Sequence, residues 1–249
     1  MPARPWRGSR GLTCAPAKPV TDTARLLACA AALACLTANQ ARAQVAGSIS
    51  LATNELFRGE TVTGDAPAIS AGLSLDGPGG FFAGASATVT SGDGDLRVAA
   101  VTQYIGYAVR AGDVSVEAGV IHRSYARIVD RDYRRGFFEG YLGASRKGVK
   151  LRVYVSPDYL RDGQATYYAE VNARLLQLSK WSLDGHAGLS LIPYDKSGPG
   201  GLHKYRDWRL QVSRPAGRLY LSAGVAATNY PVYDASGKAR VFASASFAF

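Results

Sequence analysis

Apolar and polar residues alternate with a period of two along most of the chain from residue 44 onward. In the segment AISAGLSLD, Ile69, Leu73 and Leu75 fall on one parity, while serine, glycine and aspartate fall on the other. Such alternation is typical of a β-strand with one apolar and one polar face. The pattern predicts strands at 45–54, 67–76, 81–90, 96–109, 114–125, 137–146, 149–156, 165–177, 181–192, 205–213, 218–228 and 239–249.

The connections between these strands alternate in length. Short turns such as GPGG at 77–80 and RKG at 146–148 follow every second strand. Longer polar connections, such as ELFRGETVTGDA at 55–66 and PYDKSGPGGLHK at 193–204, follow most of the others. An even number of strands, with tight turns at one end and long loops at the other, is typical of a bacterial outer-membrane barrel. The fold prediction is therefore an all-β, about 12-stranded antiparallel transmembrane β-barrel, in which every backbone group can be paired.

The chain ends in mid-strand, with the segment ARVFASASFAF at 239–249. Terminal residues of soluble domains usually fray. A closed barrel explains the difference, because its last strand has to pair with its first. The terminal aromatic pair, Phe247 and Phe249, is predicted to be the assembly signal that the outer-membrane assembly machinery reads.

The N-terminal region has the pattern of a secretory signal. A basic, acid-poor start leads into the apolar run LLACAAALACLTA at 26–38, which is too short to span a bilayer as a helix, and then into ARA at 41–43. We expect cleavage after Ala43, giving a cleaved signal peptide at 1–43 and a single barrel domain at 44–249. The alternatives are a lipoprotein signal using Cys29 or Cys35, or a buried N-terminal helix.

Cleavage would change the composition of the protein. All three cysteines lie before residue 44, so the mature chain would have neither a disulfide nor a thiolate metal site. Six of the 29 basic residues and one of the 19 acidic residues also lie there, so the net charge would fall from +10 to +5. The apparent basicity belongs largely to the signal, and we expect no nucleic-acid partner.

A family resemblance covers two parts of the chain. Phe57-Arg58-Gly59, Pro67-Ala68, Gly72 and GFFAG at 80–84 resemble the start of the TorF-type porins, a family of proteobacterial outer-membrane proteins. The segment at 239–249 also looks like the last strand of that family. The resemblance is strongest over 50–90 and 239–249. It implies a barrel with a possible pore, and little about the solute.

Charged residues on the polar parity of the strands are predicted to line the lumen. They are the basic Arg97, Arg123, Lys150, Arg152, Arg174, Arg209 and Arg240, and the acidic Glu117, Glu139, Glu170, Asp184 and Asp207. Twelve strands enclose only a modest bore, in which facing charges should pair. The small basic excess predicts a mild preference for anions, because lumen charges set selectivity.

Arg58 has two interpretations at this point. It is either a charged residue on the rim, or an arginine folded into the mouth and paired with an acid such as Glu60 or Asp65.

Two groups of residues are candidates for catalysis. His122 and Ser124 have a spacing that resembles that of outer-membrane lipid A deacylases, but the residues that usually follow are absent. Asp184, His186 and Ser190 share the inward parity, as a phospholipase-type barrel would require, although a pair such as Asp184 and His186 is more often a hydrogen-bonded contact in the lumen. No metal cluster, phosphate loop or nucleotide fingerprint is found, so no catalytic, cofactor or metal residue is predicted.

Tyrosines near strand ends are typical of the interfacial girdles of outer-membrane barrels. An alternative is a sugar-stacking track in the lumen, for which the candidates are Tyr141, Tyr154, Tyr168 and Tyr205.

The sequence therefore predicts an outer-membrane β-barrel with both termini in the periplasm, and not an enzyme. Its leading function is that of a narrow porin that passes small polar solutes with mild anion preference. A non-conducting structural or interaction barrel is the first alternative, with long loops that meet lipopolysaccharide or external partners through the arginines of loop 126–136. An outer-membrane lipid hydrolase is the second. The expected partners are outer-membrane lipid, lipopolysaccharide, the assembly machinery and small polar solutes.

Overall fold

The computed structural model describes residues 44–92, 95–125, 136–159, 163, 165–193, 202–229 and 239–249. The predicted signal peptide at 1–43 and the arginines of loop 126–135 lie outside these residues. No helix in the described part of the chain is long and apolar enough to cross a membrane.

Fourteen β-strands and one 3-10 turn, Pro78–Gly80, make up the described structure. The strands are β1 Gln44–Ala52, β2 Leu56–Phe57, β3 Glu60–Thr61, β4 Ala68–Asp76, β5 Phe81–Gly92, β6 Asp95–Ala111, β7 Val114–Tyr125, β8 Gly136–Arg146, β9 Val149–Ser156, β10 Thr166–Leu178, β11 Trp181–Pro193, β12 Leu202–Ala216, β13 Leu219–Thr228 and β14 Arg240–Ala248.

Twelve of these strands form a closed antiparallel barrel, and β2 and β3 form a separate small hairpin. Each barrel strand pairs with its neighbours along the chain, and β14 pairs with β1 over five residues to close the ring. The predicted twelve-stranded barrel is confirmed. Its main difference from the sequence pattern is β12, which was predicted to end at Ser213. The strand runs on to Ala216 because Pro215 and Ala216 still pair with β13, so barrel pairing prevails over a turn-like composition.

The two faces of the barrel differ in exposure and chemistry. On β9, Val149, Leu151 and Val153 are between 43 and 54% exposed, whereas Tyr154 on the opposite parity is buried. A similar alternation is seen on β4 and β8, and the large apolar residues exposed on the barrel are mostly valine, leucine and isoleucine. An apolar outer band is what the hydrocarbon of a bilayer requires of a barrel.

The inner face is itself divided into two parts. Strands β1, β4, β5, β13 and β14 carry mainly serine, threonine, glycine and alanine there, joined by bonds such as Ser70–Thr88 at 2.8 Å and Ser222–Ser244 at 2.6 Å. Strands β7 to β12 carry tyrosines and most of the charged residues. The side chains that could recognise a solute therefore lie along one half of the wall.

The seam of the barrel includes the last residue of the chain. The backbone of Phe249 exchanges two hydrogen bonds with Gly47 on β1, at 2.8 and 2.9 Å. Its ring lies over Gly47, where an added Cβ would come within 2.5 Å of the ring. The terminal residue thus forms part of the closing pair.

Deleting Phe249 is expected to reduce the amount of assembled barrel sharply, because two seam hydrogen bonds and the proposed assembly signal are lost together. The assembled fraction is measured as the band whose gel migration changes on boiling. Phe81→Ala is the matched control, since it removes a ring of similar exposure, 62% against 66%, away from the seam. Normal assembly without Phe249 would contradict the terminal-signal prediction.

Candidate functional site: the inner hairpin and the charged wall

The connection between β1 and β4 folds back on itself as a small hairpin, residues 53–67, called here the inner hairpin. Strands β2 and β3 pair through Leu56–Thr61 and Phe57–Glu60. The turn between them, Arg58-Gly59, has φ values of +50° and +77°. Only glycine adopts this conformation without strain, so the arginine is held in it by its surroundings.

A buried polar network fixes the base of the inner hairpin. The Asn54 side-chain oxygen accepts hydrogen bonds from the hydroxyls of Thr61 at 2.7 Å and Thr63 at 3.0 Å. The Asn54 amide donates to Asp65 at 2.6 Å. Asn54, Thr61 and Thr63 are all buried, and their polar groups satisfy one another, so the hairpin is a folded unit and not a loose loop.

The tip of the hairpin spans the lumen. On one side, the Phe57 ring packs on Tyr125 of β7 at 5.5 Å and on Phe137 of β8 at 6.4 Å. On the other side, Gly59 is so close to β13 that an added Cβ would lie 2.8 Å from the Ala227 carbonyl oxygen. Strands β8 and β13 are five positions apart in the ring of twelve, which is nearly opposite. The hairpin therefore crosses the bore near the end that carries the long loops.

A hydrophobic cluster fills the bore around this crossing. Its buried members are Ala100, Tyr125, Phe137, Tyr159 and Ile192, and Phe57, Val62 and Tyr205 pack against them. They come from several strands around the barrel and from the hairpin itself. Such a packed cluster excludes water and narrows the passage at this level.

Arg58 is the one basic residue of the inner hairpin, and it is enclosed by its surroundings. Its Nη2 donates to Glu139 on β8 at 2.5 Å, and the two side chains are 9% and 1% exposed. Its guanidinium also lies over the Tyr168 ring, 3.8 Å from the centroid. Burial acts to lower the pKa of Arg58, but the Glu139 carboxylate raises it, and the net direction is upward. Arg58 is therefore a permanent charge.

Of the two interpretations of Arg58, the one that folds it into the mouth is the correct one, but its expected partners were wrong. Glu60 and Asp65 instead contact Arg240 on β14, at 3.5 and 3.2 Å. The reason is geometric: the hairpin tip carries Arg58 across the bore to Glu139, while the acids nearer its base stay beside β14.

Strands β7, β8 and β9 form a charged wall, in which two carboxylates serve four cations. Glu139 contacts Arg58 and also Arg123, at 3.3 Å. Glu117 contacts Arg152 and also Lys150, at 3.0 Å.

Glu117 and Arg152 lie two strands apart and meet over Gly143 of β8. An added Cβ on Gly143 would be 2.8 Å from Glu117. Side chains on strands two apart can meet only where the wall is concave, so this contact lies inside the barrel.

The other predicted lumen residues have different partners. Arg174 contacts Asp184 at 3.1 Å, Glu170 accepts from the Tyr154 hydroxyl at 2.9 Å, and Asp207 contacts His186 at 2.7 Å. Arg209 interacts electrostatically with Glu55 of the hairpin. Burial raises the pKa of the Glu55 carboxyl more than the positive charge of Arg209 lowers that pKa, so the net direction is upward. Arg97 is half-buried opposite Thr90 of β5, and Arg240 belongs to the hairpin contacts above.

Sequence reasoning missed Glu55 and the partner of Arg58, but one signal of the hairpin was available. Gly59 in the segment FRGE is a residue suited to a tight left-handed turn within the connection.

The arrangement that a phospholipase-type hydrolase would need does not form. His186 bonds to Asp207 and to Asn172, while Asp184 bonds to Arg174 and Ser182, so Asp184, His186 and Ser190 are not connected as a relay. The His122 ring packs against Phe138, which is 59% exposed on the outer face. Among the described residues, no three histidine, cysteine or acidic side chains are placed to hold a metal ion.

Three of the four candidate track tyrosines form a row on adjacent strands. Tyr141, Tyr154 and Tyr168 have ring centroids 5.7 Å apart, but each is 5% exposed or less. Tyr205 lies elsewhere and stacks on His203. The row is therefore a packed part of the wall and offers no open ring face for sugar stacking.

Two adjoining cavities occupy the lumen below the hairpin. The first, of about 320 Å³, is bounded by hairpin residues Leu56 to Gly59 and by wall residues that include Arg152, Glu170 and His186. The second, of about 400 Å³, is bounded by Lys150, Arg174 and Asp184 nearer the tight turns. Asn172 and Arg209 line both. The charged wall is thus accessible to water from the turn end up to Arg58.

Solved structures with a similar fold include three that are named as porins or channels. The KdgM porin aligns with a TM-score of 0.51 at 10% identity, over 82% of this chain and 99% of that chain. A NanC porin structure aligns at 0.49 and 9% identity over 83% and 99% of the two chains. The COG4313 outer membrane channel from Pseudomonas putida F1 aligns at 0.47 and 13% identity over 85% and 96%. At such identities the likeness to the KdgM porin concerns the fold.

A comparison with curated proteins finds no match. The family model Gcw_chp, described as a bacterial protein of unknown function, matches residues 37–247. This match covers most of the chain, including every strand of the barrel but for the last residue of β14, and the protein therefore belongs to the Gcw_chp family.

Proposed function

We propose that the protein is a narrow porin of the bacterial outer membrane that passes small polar solutes, with both termini in the periplasm. The observation that carries the proposal is the water-accessible charged wall, which runs inside a closed barrel with an apolar outer band. Charged groups that line a pore set which solutes and ions pass through it, so a water-accessible charged lumen suits the passage of polar solutes. The resemblance to the TorF-type porins supports the same conclusion.

The inner hairpin determines how narrow this porin is. It crosses the bore and is surrounded by a packed apolar cluster, so solutes have to pass beside it. The proposal is therefore a low-conductance channel restricted to small solutes.

The local charge around the second cavity supports a mild anion preference. The strands contribute seven basic and five acidic residues of the predicted set, and the inner hairpin adds Arg58 and three acids, Glu55, Glu60 and Asp65, so these charges sum to zero. The basic excess is local, because Lys150, Arg174 and Arg209 line the second cavity against one acid, Asp184. A solute coming from the turn end would meet this positive field first.

Recording of the purified protein in a planar bilayer is the experiment that tests the proposed function. We expect small conductance steps and a mild anion preference that grows at low salt, because the screening length lengthens from about 10 Å at 0.1 M to about 30 Å at 0.01 M. Protein that inserts as a closed barrel but passes no current would contradict the porin proposal.

Replacing residues 55–62 by a Gly-Ser linker of equal length is expected to raise the conductance several-fold. The exchange removes the crossing and a net charge of −1, so the anion preference should also increase. The same exchange at turn residues 110–113 is the control and should leave the conductance unchanged. An unaltered conductance in the 55–62 variant would mean that the hairpin does not limit the passage.

A non-conducting interaction barrel is the second candidate, and the apolar cluster around the hairpin favours it. In that case the long loops would contact lipopolysaccharide or external partners, and the cluster would seal the mouth. In either case we propose that the seam residues Phe247 and Phe249 are read by the outer-membrane assembly machinery. The bilayer recording separates the two candidates.

A further inference from the structure

We propose that the 320 Å³ cavity beneath the inner hairpin is a binding site for a small hydroxylated monocarboxylate, with the guanidinium of Arg58 as its principal donor. The inference rests on the proposed function in so far as the solute reaches the cavity through the lumen.

The first argument is an unsatisfied donor. Nη2 of Arg58 is held by Glu139, but buried Nη1 has no hydrogen-bond partner among the described residues. The Tyr159 side chain also forms a hydrogen bond with the guanidinium, and Nη1 is the nitrogen that stays without a partner among the described residues. A buried charged donor without a partner is costly, and native structures keep few of them without a reason. Arg58 lines the cavity, so a solute there can supply the missing acceptor.

The second argument is the local charge. The two carboxylates of the charged wall, Glu117 and Glu139, are shared among four cations, which leaves a positive excess beside the cavity. Arg123, Arg152 and Arg209 line the cavity together with Arg58. In a lumen closed off by the hairpin this field is screened less than on a surface. An anion is therefore favoured over a neutral solute of the same size.

The third argument selects the kind of anion. A carboxylate oxygen accepts a charge-assisted hydrogen bond from a guanidinium nitrogen, and Nη1 is the nitrogen that the Glu139 contact leaves available. Glu170 also lines the cavity, and its negative charge opposes a second negative charge on the solute.

The opposite side of the cavity selects the rest of the solute. Asn172 and His186 line the cavity there. Both ring nitrogens of His186 are already bonded, to Asn172 at 2.9 Å and to Asp207 at 2.7 Å, so the amide nitrogen of Asn172 is the group that can donate to a solute hydroxyl. The volume lies near the lower end of the range for small-molecule sites, about 300–1,000 Å³, so a single short chain or ring fits.

Equilibrium dialysis of the purified mature protein in detergent, with labelled gluconate, tests the inference. Glucitol, which has the same carbon chain without the carboxylate, is the neutral comparison. We expect saturable binding of gluconate and none of glucitol. Arg58→Gln should weaken gluconate binding about ten-fold or more, because a charge-assisted pair is lost. Arg218→Gln is the matched control, since it makes the same exchange in an exposed turn, and it should bind like the wild type.

Each variant is first checked for the boiling-dependent shift of a closed barrel. If Arg58→Gln does not close, Arg58→Lys takes its place and should weaken binding several-fold, because the charge stays and the fork is lost. Non-saturable binding, equal binding of glucitol, or unchanged binding in the Arg58 variant would each overturn the inference. The conductance of the same preparation is recorded separately. Conductance without gluconate binding would refute the binding site alone, and gluconate binding without conductance would refute the porin proposal alone.

Discussion

Replacing Glu139 by alanine is expected to destabilise the folded barrel by about 3–5 kcal/mol, which is the usual cost of removing one partner from a buried ion pair. Glu139 is 1% exposed and holds both Arg58 and Arg123. Its loss would leave two cations near each other without a counter-charge, and would release the hairpin tip. The free energy of unfolding can be measured by urea titration in lipid vesicles, using the fluorescence of Trp181 and Trp208.

The matched control for this prediction is Asp113→Ala. Asp113 contacts Arg146 at 3.6 Å, with the two side chains 68 and 59% exposed. Exposed pairs of this kind contribute between about 0 and 1 kcal/mol, so the control should unfold almost like the wild type. Equal effects of the two substitutions would show that the Glu139 contacts do not hold the hairpin.

Combining Arg152→Glu with Arg174→Glu is expected to reverse the ion preference from anions to cations. The pair lies on neighbouring strands β9 and β10, and the exchange makes the lumen more negative by four charges. Lumen charges set the selectivity of narrow pores, so the effect should exceed that of any single substitution. The reversal potential in a salt gradient across a planar bilayer measures it directly.

Lys180→Glu with Arg218→Glu provides the same change of charge at exposed turns, outside the lumen. This control should shift the reversal potential much less. A double variant that conducts with unchanged preference would contradict the assignment of Arg152 and Arg174 to the conducting path.

The barrel could be predicted from the sequence because its rules are local. A strand that faces lipid on one side alternates apolar and polar residues, as β4 and β9 do. Each tight turn is marked by turn-forming residues in its own short segment. Antiparallel neighbours then follow from chain order, so the partner of each strand needs no further information. Among the described barrel strands, β1 and β14 are the neighbours that lie far apart in the sequence. The aromatic end of the chain indicated that these two strands pair.

The candidate site could be predicted only in part, because its contacts are not local. Parity placed Glu117, Arg152 and Lys150 on one face, but it could not reveal that Gly143 lets them meet. The pairing of Arg58 with Glu139 joins residues 81 positions apart and depends on a connection folding inward. The composition of the connection does not indicate whether it folds into the barrel or away from it. That direction is decided by the apolar cluster against which Phe57 packs.

The seam between Phe249 and Gly47 also constrains the order of folding. These residues stand near the two ends of the barrel segment 44–249, so their pairing closes a loop that contains every other barrel strand. Contacts of such large sequence separation form slowly, because the entropy of loop closure has to be overcome first. Until the last residue arrives, both edges of the sheet remain open and can pair with other chains. Synthesis of the last strand must therefore precede closure, and a chain that stops before it remains prone to aggregation however many of its other strands are complete.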